Sequence, residues 1–351
     1  MANFVQYSKK DGKRALGVVT GDIIETINGF ETLLSIAQYA VSKEKSLNEV
    51  VSEMGIVSDA SYDDVIKQNR LLPIIDHPDP AHVFVTGTGL THTGSADARD
   101  KMHAKVMSEG AELSDSMKIF KMGIEAGKPS QGEIGVQPEW FWKGNGNILR
   151  ASGDELLSPH WALDMGEEPE IAGIYLIGSD LQPFRLGFAL ANEMSDHVME
   201  RENYLFLAHS KLRECSLGPE LLTGELRDDI RGTSRIIRDE KIIWEKPFMS
   251  GEKNMTHFIS NLEHHHFKYS IFRRPGDIHV HFFGTATISF SDGIKIEDED
   301  IYNMDVNVSE GETFRDQQTQ GRRPRFSIYN RIILPKGLSP IMTGSLKDKD
   351  V

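Results

Sequence analysis

Apolar and polar residues alternate along the first thirty residues in three short runs, and glycine next to aspartate separates the runs. Alternation with a period of two, broken by such pairs, predicts antiparallel strands joined by tight turns. Apolar spacing typical of helices follows, and Gly55 ends it. The N-terminal segment is therefore predicted to be a small α+β unit with strands over 4–8, 15–19 and 23–27 and helices over 30–41 and 46–54.

Three prolines fall between Leu72 and Pro80, where they disfavour a helix and remove hydrogen-bond donors from a sheet. We place a domain boundary there, which gives an N-terminal domain over 1–75, a second domain over 76–340 and a polar tail over 341–351. Helices are predicted over 95–127 and 254–266. Because alternating β and α units are absent, the predicted fold class is α+β, mainly β. Its predicted strands cover 83–85, 140–143, 171–177, 188–191, 278–283, 287–290 and 329–334.

The charge and composition of the chain limit the kinds of partner that it is expected to bind. The chain carries 39 Lys and Arg against 53 Asp and Glu, a formal net charge of −14, and contains no basic tract. Binding to nucleic acid depends on such basic residues, so no nucleic-acid partner is expected. The longest aliphatic run, 171–177, is far shorter than the roughly 18 residues of a membrane helix, and a single cysteine, Cys215, excludes a disulfide framework. We expect a cytoplasmic protein without a membrane partner.

A glycine-containing loop follows the predicted strand 83–85. Gly87 and Gly89 are spaced as in a dinucleotide-binding loop, but the third glycine and the βαβ unit that such loops require are missing. The sequence therefore argues against a dinucleotide site here.

Acidic residues lead directly into the most apolar predicted strand. Glu168 and Glu170 are two residues apart, and side chains two apart on a strand share a face, so their carboxylates are expected to lie close together. On a solvated face this pair costs little. Beside a buried strand it needs a cation or a raised pKa. Oxygen ligands suit hard divalent ions such as Mg²⁺, Mn²⁺ and Ca²⁺.

Several segments in chain order resemble motifs of the fumarylacetoacetate hydrolase superfamily. The Glu168-Pro169-Glu170 segment is followed by the sequence Ala-Asn-Glu-Met-Ser at 191–195, and then by Lys211 and the sequence Leu-Gly-Pro at 217–219. Further similar segments are Gly89-Leu90, the sequence Pro-Glu-Trp-Phe-Trp-Lys at 138–143, Arg-Pro-Gly-Asp at 274–277 and Gly284-Thr285. The resemblance covers about 4–335 and is greatest to the branch that dehydrates 2-keto-3-deoxy sugar acids.

The resemblance implies a fold, a metal site and an assembly. The fold would be a β-sandwich or roll with a small N-terminal α+β cap, and the assembly a homodimer. The metal ligands would be Glu168, Glu170 and Glu193, binding Mg²⁺, with Mn²⁺ or Ca²⁺ as alternatives. Family members usually have aspartate where this chain has Glu193, whose extra methylene lengthens the reach to the metal.

The resemblance also implies roles for residues around the metal. Lys211 would stabilise an enolate or transfer a proton, Lys143 would take part in catalysis or bind substrate, and Gly284 with Thr285 would hold the substrate carboxylate. The substrate would be a small 2-oxo acid such as 2-keto-3-deoxy-arabonate, dehydrated to a 2,5-dioxo acid.

One departure from the family motif leaves the reaction open. The hydrolases of the family place a catalytic histidine five residues after Gly-Leu, where this chain has Ser95, although His92 lies nearby. An alternative is a carbon–carbon hydrolase of the acylpyruvate type in which His92 or Glu133 activates water. A second alternative is a noncatalytic protein that binds a metal or ligand on the same scaffold.

Overall fold

The computed structural model describes residues 2–93, 113–307 and 327–335. Within these ranges the chain is a mixed α+β protein dominated by two sheets, as predicted. The strands are β1 Asn3–Ser8, β2 Arg14–Thr20, β3 Ile23–Ile27, β4 Ile56–Ser61, β5 Val83–Gly87, β6 Phe141–Asn145, β7 Leu149–Arg150, β8 Glu155–Leu157, β9 Pro169–Ile177, β10 Pro183–Asn192, β11 Cys215–Leu217, β12 Glu220–Leu222, β13 Ile230–Arg238, β14 Lys241–Ser250, β15 Ile278–Phe282, β16 Ile301–Asn307 and β17 Ser327–Ile333. The larger sheet has the strand order β4-β3-β2-β1-β12-β10-β9-β15-β5-β6, and β11 pairs with both β10 and β7. The smaller sheet has the order β14-β13-β16-β17-β8.

Helices cover the sheets and connect their strands. In the part of the chain that the structure describes, the α-helices are α1 Leu33–Ser42, α2 Leu47–Met54, α3 Tyr62–Lys67, α4 Asp115–Ala126, α5 His197–Glu202, α6 Leu207–Ser210 and α7 Ile259–Phe267. None of them is long and apolar enough to cross a membrane.

Strand β9 lies at the centre of the molecule, and every one of its residues is buried. One face contributes Ala172, Ile174 and Leu176 to a core shared with α1 and α2. Ile171 packs in a second core, together with Phe248 of the smaller sheet and other residues of both sheets. A strand covered on both faces has a continuous apolar sequence, because neither face meets water. The two sheets therefore pack against each other as a sandwich.

The N-terminal strands belong to the same sheet as the strands of the predicted second domain. Strand β1 pairs with β12, with Phe4 opposite Leu221. The two predicted domains are thus connected by hydrogen bonds between strands, while the division at 1–75 and 76–340 remains a prediction. The predicted tail, 341–351, lies outside the described residues.

Several predicted elements differ in the structure. The segment 287–290 is not a strand: a 3-10 helix begins at Ser289, because the Glu167 carboxylate accepts hydrogen bonds from the Ser289 amide (2.8 Å) and hydroxyl (2.7 Å). The helix predicted over 254–266 begins later, at Ile259, whose amide donates to Glu252 Oε1 (2.8 Å). Of the helix predicted over 95–127, the structure describes α4, and residues 94–112 lie outside the described ranges.

The long hairpin of β13 and β14 was not predicted from the sequence. Its outer strand, β14, buries only Trp244, Phe248 and Ser250, and charged residues fill much of the remainder. Such an edge strand lacks the clean alternation by which strands are recognised. This hairpin supplies much of the smaller sheet.

Gln6 on β1 joins three N-terminal segments, which gives a test of this packing. Its buried side chain donates to the Pro73 carbonyl (2.6 Å) and accepts from the Leu33 amide (2.7 Å). We expect Gln6→Met to lower the free energy of unfolding by about 1 to 3 kcal/mol, because both backbone groups lose their partner. Urea unfolding measures this change. Gln68→Met, at an exposed position, is the control; an equal effect of both variants would contradict the assignment.

Candidate metal centre

Three glutamates meet because two antiparallel strands align their ends. Glu170 lies near the start of β9, opposite Ala191 of β10, and Glu193 follows directly after β10. The Glu193 amide donates to the Glu168 carbonyl (3.0 Å), which extends the pairing to the residues just outside the strands. One carboxylate oxygen of Glu168, Glu170 and Glu193 lies within 4.8 Å of each of the other two. The structure therefore brings together the three acidic residues chosen from the sequence.

Gly284 fixes the orientation of Glu170. Its amide donates to Glu170 Oε2 (2.6 Å), and its backbone has a φ of +91°, a conformation that L side chains rarely adopt. A Cβ at this position would lie 2.5 Å from Thr91 Oγ1 and 2.7 Å from the Thr88 carbonyl oxygen. Glycine is required here for both reasons. Gly284, predicted as a substrate-binding residue, thus contacts a predicted metal ligand.

The ammonium group of Lys211 lies among the carboxylates. It is 2.6 Å from Glu168 Oε1 and 2.8 Å from Glu193 Oε2, and it donates to Ser195 Oγ (2.7 Å). Burial alone would lower the pKa of Lys211, but the nearby charges of Glu168, Glu193 and Glu200 outweigh it and hold the pKa well above its usual value. Lys211 is therefore a fixed positive charge in this arrangement.

Lys143 is buried behind the glutamates rather than extended to solvent. Its ammonium donates to Glu193 Oε1, to the Met194 carbonyl (2.6 Å) and to the Lys211 carbonyl (2.8 Å), and the residue is 1% exposed. An ammonium has three N–H donors, so these partners use all of them. In this arrangement Lys143 positions Glu193 and the Lys211 backbone, and no donor is left for a substrate.

His197 adds a further positive charge beside Glu168. Its Nε2 is 3.1 Å from Glu168 Oε1 and its Nδ1 is 3.3 Å from Asp164 Oδ2. Burial disfavours the protonated ring, but the bonds to Asp164 and Glu168 prevail and raise the pKa of His197 to about 10. For Glu168, burial opposes ionisation, yet Lys211 and His197 lower the pKa below its usual value. Glu168 is consequently ionised at neutral pH.

Glu170 differs from the other two glutamates. Burial raises its pKa well above the usual value, and repulsion by Glu168 and Glu193 adds to this effect. Within the described ranges, no lysine, arginine or histidine lies within ion-pair distance of Glu170. A divalent cation among the three carboxylates would supply the missing charge, and their oxygen atoms are the ligands that hard cations prefer. The site therefore fits a divalent metal ion.

A cavity of about 390 Å³ opens next to these residues. Glu168, Lys211 and Thr285 line it, and so does Glu139, which accepts a hydrogen bond from the Tyr204 hydroxyl (2.8 Å). Burial raises the pKa of Glu139 above its usual value, although the Tyr204 hydrogen bond lowers it in part. The cavity thus combines one candidate metal ligand, Glu168, with the fixed cation of Lys211 and the carboxyl of Glu139, whose raised pKa suits proton transfer.

Gly89 permits the close approach of Glu139. A Cβ on Gly89 would lie 1.9 Å from Glu139 Oε1. A Cβ on Gly87 would lie 2.4 Å from Phe141 Cζ, so both glycines have a packing reason to be glycine.

Two other predicted catalytic residues, His92 and Glu133, do not line the cavity. His92 is buried, and its Nε2 is 3.0 Å from Ser250 Oγ while its Nδ1 is 3.0 Å from Thr91 Oγ1. Burial lowers the pKa of His92 to about 3, so the ring is neutral. Glu133 lies on an exposed segment. Ser95 lies outside the described residues.

Sequence reasoning missed the side chains that follow Glu193 on α5 and the turn after it. His197, Arg201 and Tyr204 all line the cavity. His197 and Arg201 are four residues apart and so share one face of the helix, a spacing visible in the sequence. Glu139 belongs to the motif at 138–143, in which the sequence indicates no separate role for it. The sequence does not show which way this face of the helix points, so it does not indicate that these side chains line a cavity.

Comparisons with protein-family models and with curated proteins do not show a family for this chain. A family model described as Bsp6I restriction endonuclease matches residues 285–335, a short part of the chain that does not show a family. No curated protein matches the chain.

Comparison with solved structures gives a clear result. 2-Keto-3-deoxy-D-arabinonate dehydratase matches with a TM-score of 0.66 and 17% identity, over 95% of this chain and 100% of that chain, and one such structure is complexed with magnesium and 2,5-dioxopentanoate. A 5-carboxymethyl-2-hydroxymuconate delta-isomerase from Mycobacterium smegmatis matches with a TM-score of 0.55 and 15% identity, over 95% of this chain and 100% of that chain. Fumarylacetoacetate hydrolase from Exiguobacterium antarcticum matches with a TM-score of 0.55 and 13% identity, over the same shares. The structural neighbours are thus proteins of the fumarylacetoacetate hydrolase superfamily, and the chain has their fold, as its motifs predicted.

Proposed function

We propose that this protein is a magnesium-dependent enzyme that removes water from a 2-keto-3-deoxy sugar acid, such as a 2-keto-3-deoxy-pentonate. The observation that carries the proposal is the cluster of Glu168, Glu170 and Glu193 with Lys211 beside a cavity of about 390 Å³. The structural likeness to a dehydratase complexed with magnesium and 2,5-dioxopentanoate supports the choice of reaction.

The residues divide the work between binding and proton transfer. Glu168, Glu170 and Glu193 would hold the metal, which when bound withdraws electron density from the oxygens of a 2-oxo acid and so acidifies the neighbouring C–H. Lys211 remains a cation at the cavity wall, where it stabilises negative charge that develops on a substrate oxygen. Thr285 lines the same cavity and can donate its hydroxyl to the substrate carboxylate.

Glu139 is the group we assign to proton transfer. Its carboxylate would take a proton from carbon 3, and the resulting carboxylic acid would return that proton to the hydroxyl leaving carbon 4, which departs as water. The 5-hydroxy-2-oxo-3-enoate so formed would then tautomerise to the 2,5-dioxo acid, as hydrogens move from carbon 5 and its hydroxyl to carbons 3 and 4. Burial raises the pKa of Glu139 above its usual value, which makes the carboxylate a stronger base and lets the resulting carboxylic acid hold its proton until it is delivered to the leaving group. The Tyr204 hydroxyl holds the carboxyl in place.

The carbon–carbon hydrolase alternative needs a residue that activates water. Both residues named for that role are poorly placed, because His92 is buried and bonded to Ser250 while Glu133 is exposed. The dehydratase is therefore preferred. A homodimer, a cytoplasmic location and the absence of nucleic-acid and membrane partners remain predictions from the sequence.

The metal site can be tested without substrate. We expect Mg²⁺ to raise the melting temperature of the wild-type protein, because a ligand that binds only the folded state stabilises that state. The free energy of unfolding rises by about 2.7 kcal/mol when the ligand concentration is a hundred times the dissociation constant. Glu170→Gln should remove this shift. It should also raise the melting temperature of the metal-free protein, because an amide replaces a carboxylate that its neighbours repel. Differential scanning calorimetry measures both effects, with Glu125→Gln on the exposed face of α4 as the control. An equal Mg²⁺ shift in Glu170→Gln and wild type would exclude this site.

The reaction can be tested by identifying products. Purified protein with Mg²⁺ should convert a 2-keto-3-deoxy-pentonate to a 2,5-dioxo acid and leave an acylpyruvate intact, because the cavity lacks the predicted water-activating residues. Mass spectrometry of both mixtures distinguishes the reactions. Cleavage of the acylpyruvate without turnover of the pentonate would overturn the dehydratase proposal in favour of the hydrolase.

The role of Glu139 predicts a specific pattern. Glu139→Gln should lower kcat by about 10²- to 10⁴-fold, the usual range for loss of a general acid or base, while the Mg²⁺ shift in melting temperature is retained. Tyr204→Phe should move the acid limb of the profile of kcat/KM against pH to higher pH. In the wild-type protein the hydrogen bond from Tyr204 lowers the pKa of Glu139. Without that bond the pKa rises, so the carboxylate becomes protonated at a higher pH. Full activity of Glu139→Gln would refute the assignment.

A further inference from the structure

Residues 284–292, which come after β15, form one wall of the cavity and are called the wall segment below. The members that line the cavity are Thr285, Ala286, Ile288, Phe290 and Ser291. The Thr285 hydroxyl accepts a hydrogen bond from the Thr287 amide (3.3 Å), which leaves its own hydrogen for another acceptor. The position of the wall segment therefore decides where this hydroxyl can meet a substrate carboxylate.

Two residues attach the wall segment to β14 of the smaller sheet. The Thr287 hydroxyl donates to the Pro247 carbonyl (3.1 Å). The Asp292 carboxylate accepts from the Trp244 indole (2.8 Å) and from the Lys246 ammonium (2.7 Å). These contacts hold the segment against one of the two sheets.

Glu167 holds the same segment from the side of the larger sheet. It lies two residues before β9, directly before the candidate metal ligand Glu168, and it is 0% exposed. Its Oε1 accepts from the Ser289 amide (2.8 Å) and its Oε2 accepts from the Ser289 hydroxyl (2.7 Å). Both carboxylate oxygens thus bind one residue of the wall segment.

Phe290 connects this contact to the metal ligands. It follows Ser289 and stacks on the His197 ring, with 5.3 Å between the ring centres. The His197 Nε2 atom is 3.1 Å from Glu168 Oε1. A shift of Ser289 would therefore carry Phe290 away from the ring that contacts Glu168. Supports of this kind decide whether a binding site keeps its geometry.

We propose that Glu167 is a positioning residue for substrate binding, which holds Ser289 so that Thr285 stays where the carboxylate of a 2-oxo acid binds. Neighbouring side chains of an extended segment point to opposite faces, so Glu167 reaches Ser289 while Glu168 and Glu170 turn toward each other. Glu167 acts through Ser289 and is assigned neither to the substrate nor to the metal. This inference rests on the proposed function, which supplies the identity of the ligand.

Hydrogen exchange tests the positioning role without any ligand. Glu167→Ala removes both hydrogen bonds to Ser289, whereas Glu167→Gln keeps an acceptor for the amide and a donor for the hydroxyl oxygen. Hydrogen–deuterium exchange is measured by mass spectrometry on the metal-free protein. In Glu167→Ala, exchange within 284–292 should be about tenfold faster than in the wild type, the effect expected when a hydrogen bond to a charged group is lost. Glu167→Gln should exchange as the wild type does.

Binding of 2-oxovalerate tests the effect on the site, since this acid has no hydroxyl on carbon 4 and cannot lose water. In the presence of Mg²⁺, isothermal titration calorimetry should give a dissociation constant about tenfold higher for Glu167→Ala than for the wild type, because small displacements in a site are costly. Glu167→Gln should restore the wild-type value. Asp154→Ala removes a carboxylate that accepts from the Ala151 amide (2.8 Å) outside the cavity, and it should keep wild-type values in both measurements.

The outcomes separate this inference from the proposed function. If exchange within 284–292 is unchanged in Glu167→Ala, or if it rises while 2-oxovalerate binds as tightly as before, the positioning role is refuted and the proposed function stands. Equal loss of affinity in Glu167→Ala and Glu167→Gln also refutes it, because the charge and not the hydrogen bonds would then be responsible. If the wild-type protein with Mg²⁺ does not bind 2-oxovalerate, the proposed function fails and the role of Glu167 in substrate binding fails with it. Faster exchange and weaker binding in Glu167→Ala, both restored in Glu167→Gln, support the proposal.

Discussion

Mutual repulsion of three buried carboxylates is the constraint on which the rest of the site depends. Two unit charges at the upper limit of the carboxylate separation, 4.8 Å, repel by about 3.5 kcal/mol at an effective dielectric constant near 20. Lys211 offsets part of this repulsion for Glu168 and Glu193, and Lys143 holds Glu193 from behind. Among the described residues Glu170 has no such ion-pair partner, and burial together with repulsion by Glu168 and Glu193 raises its pKa well above the usual value. The protein thus maintains an arrangement that a divalent cation would complete.

The rigidity of this arrangement comes from the sheet. Glu170 and Glu193 stand at adjoining ends of β9 and β10, and β15 on the other side of β9 leads to Gly284, whose amide fixes Glu170. Because the two faces of β9 pack in two different cores, a shift of register by one residue would place each side chain in the wrong core. The packing that stabilises the fold therefore also sets the spacing of the carboxylates.

Around this rigid centre, the cavity wall is built from shorter elements. Helix α5 and the turn after it place His197, Arg201 and Tyr204 beside the cavity, and the strand that begins at Phe141 is preceded by Glu139. These side chains differ in charge and in pKa. The cluster of three glutamates can therefore be combined with cavity walls of different chemistry. The structural neighbours, a dehydratase, an isomerase and a hydrolase by name, share the fold at low sequence identity. In such a scaffold the cavity wall is where differences of substrate and reaction are expected to arise.

The sequence by itself determined the fold class and the order of the central elements, because a strand that is buried on both faces, such as β9, requires a continuous apolar run that is visible in the sequence. It also indicated the three glutamates and Lys211, since their motifs stand in chain order. It did not determine the β13–β14 hairpin, whose exposed edge carries little pattern. Only the tertiary structure decided that Lys143 is fully engaged, that His92 faces Ser250 and that Glu139 reaches the cavity. The physical reason is that local pattern fixes which residues are buried, whereas the partner of a buried polar group comes from a distant part of the chain.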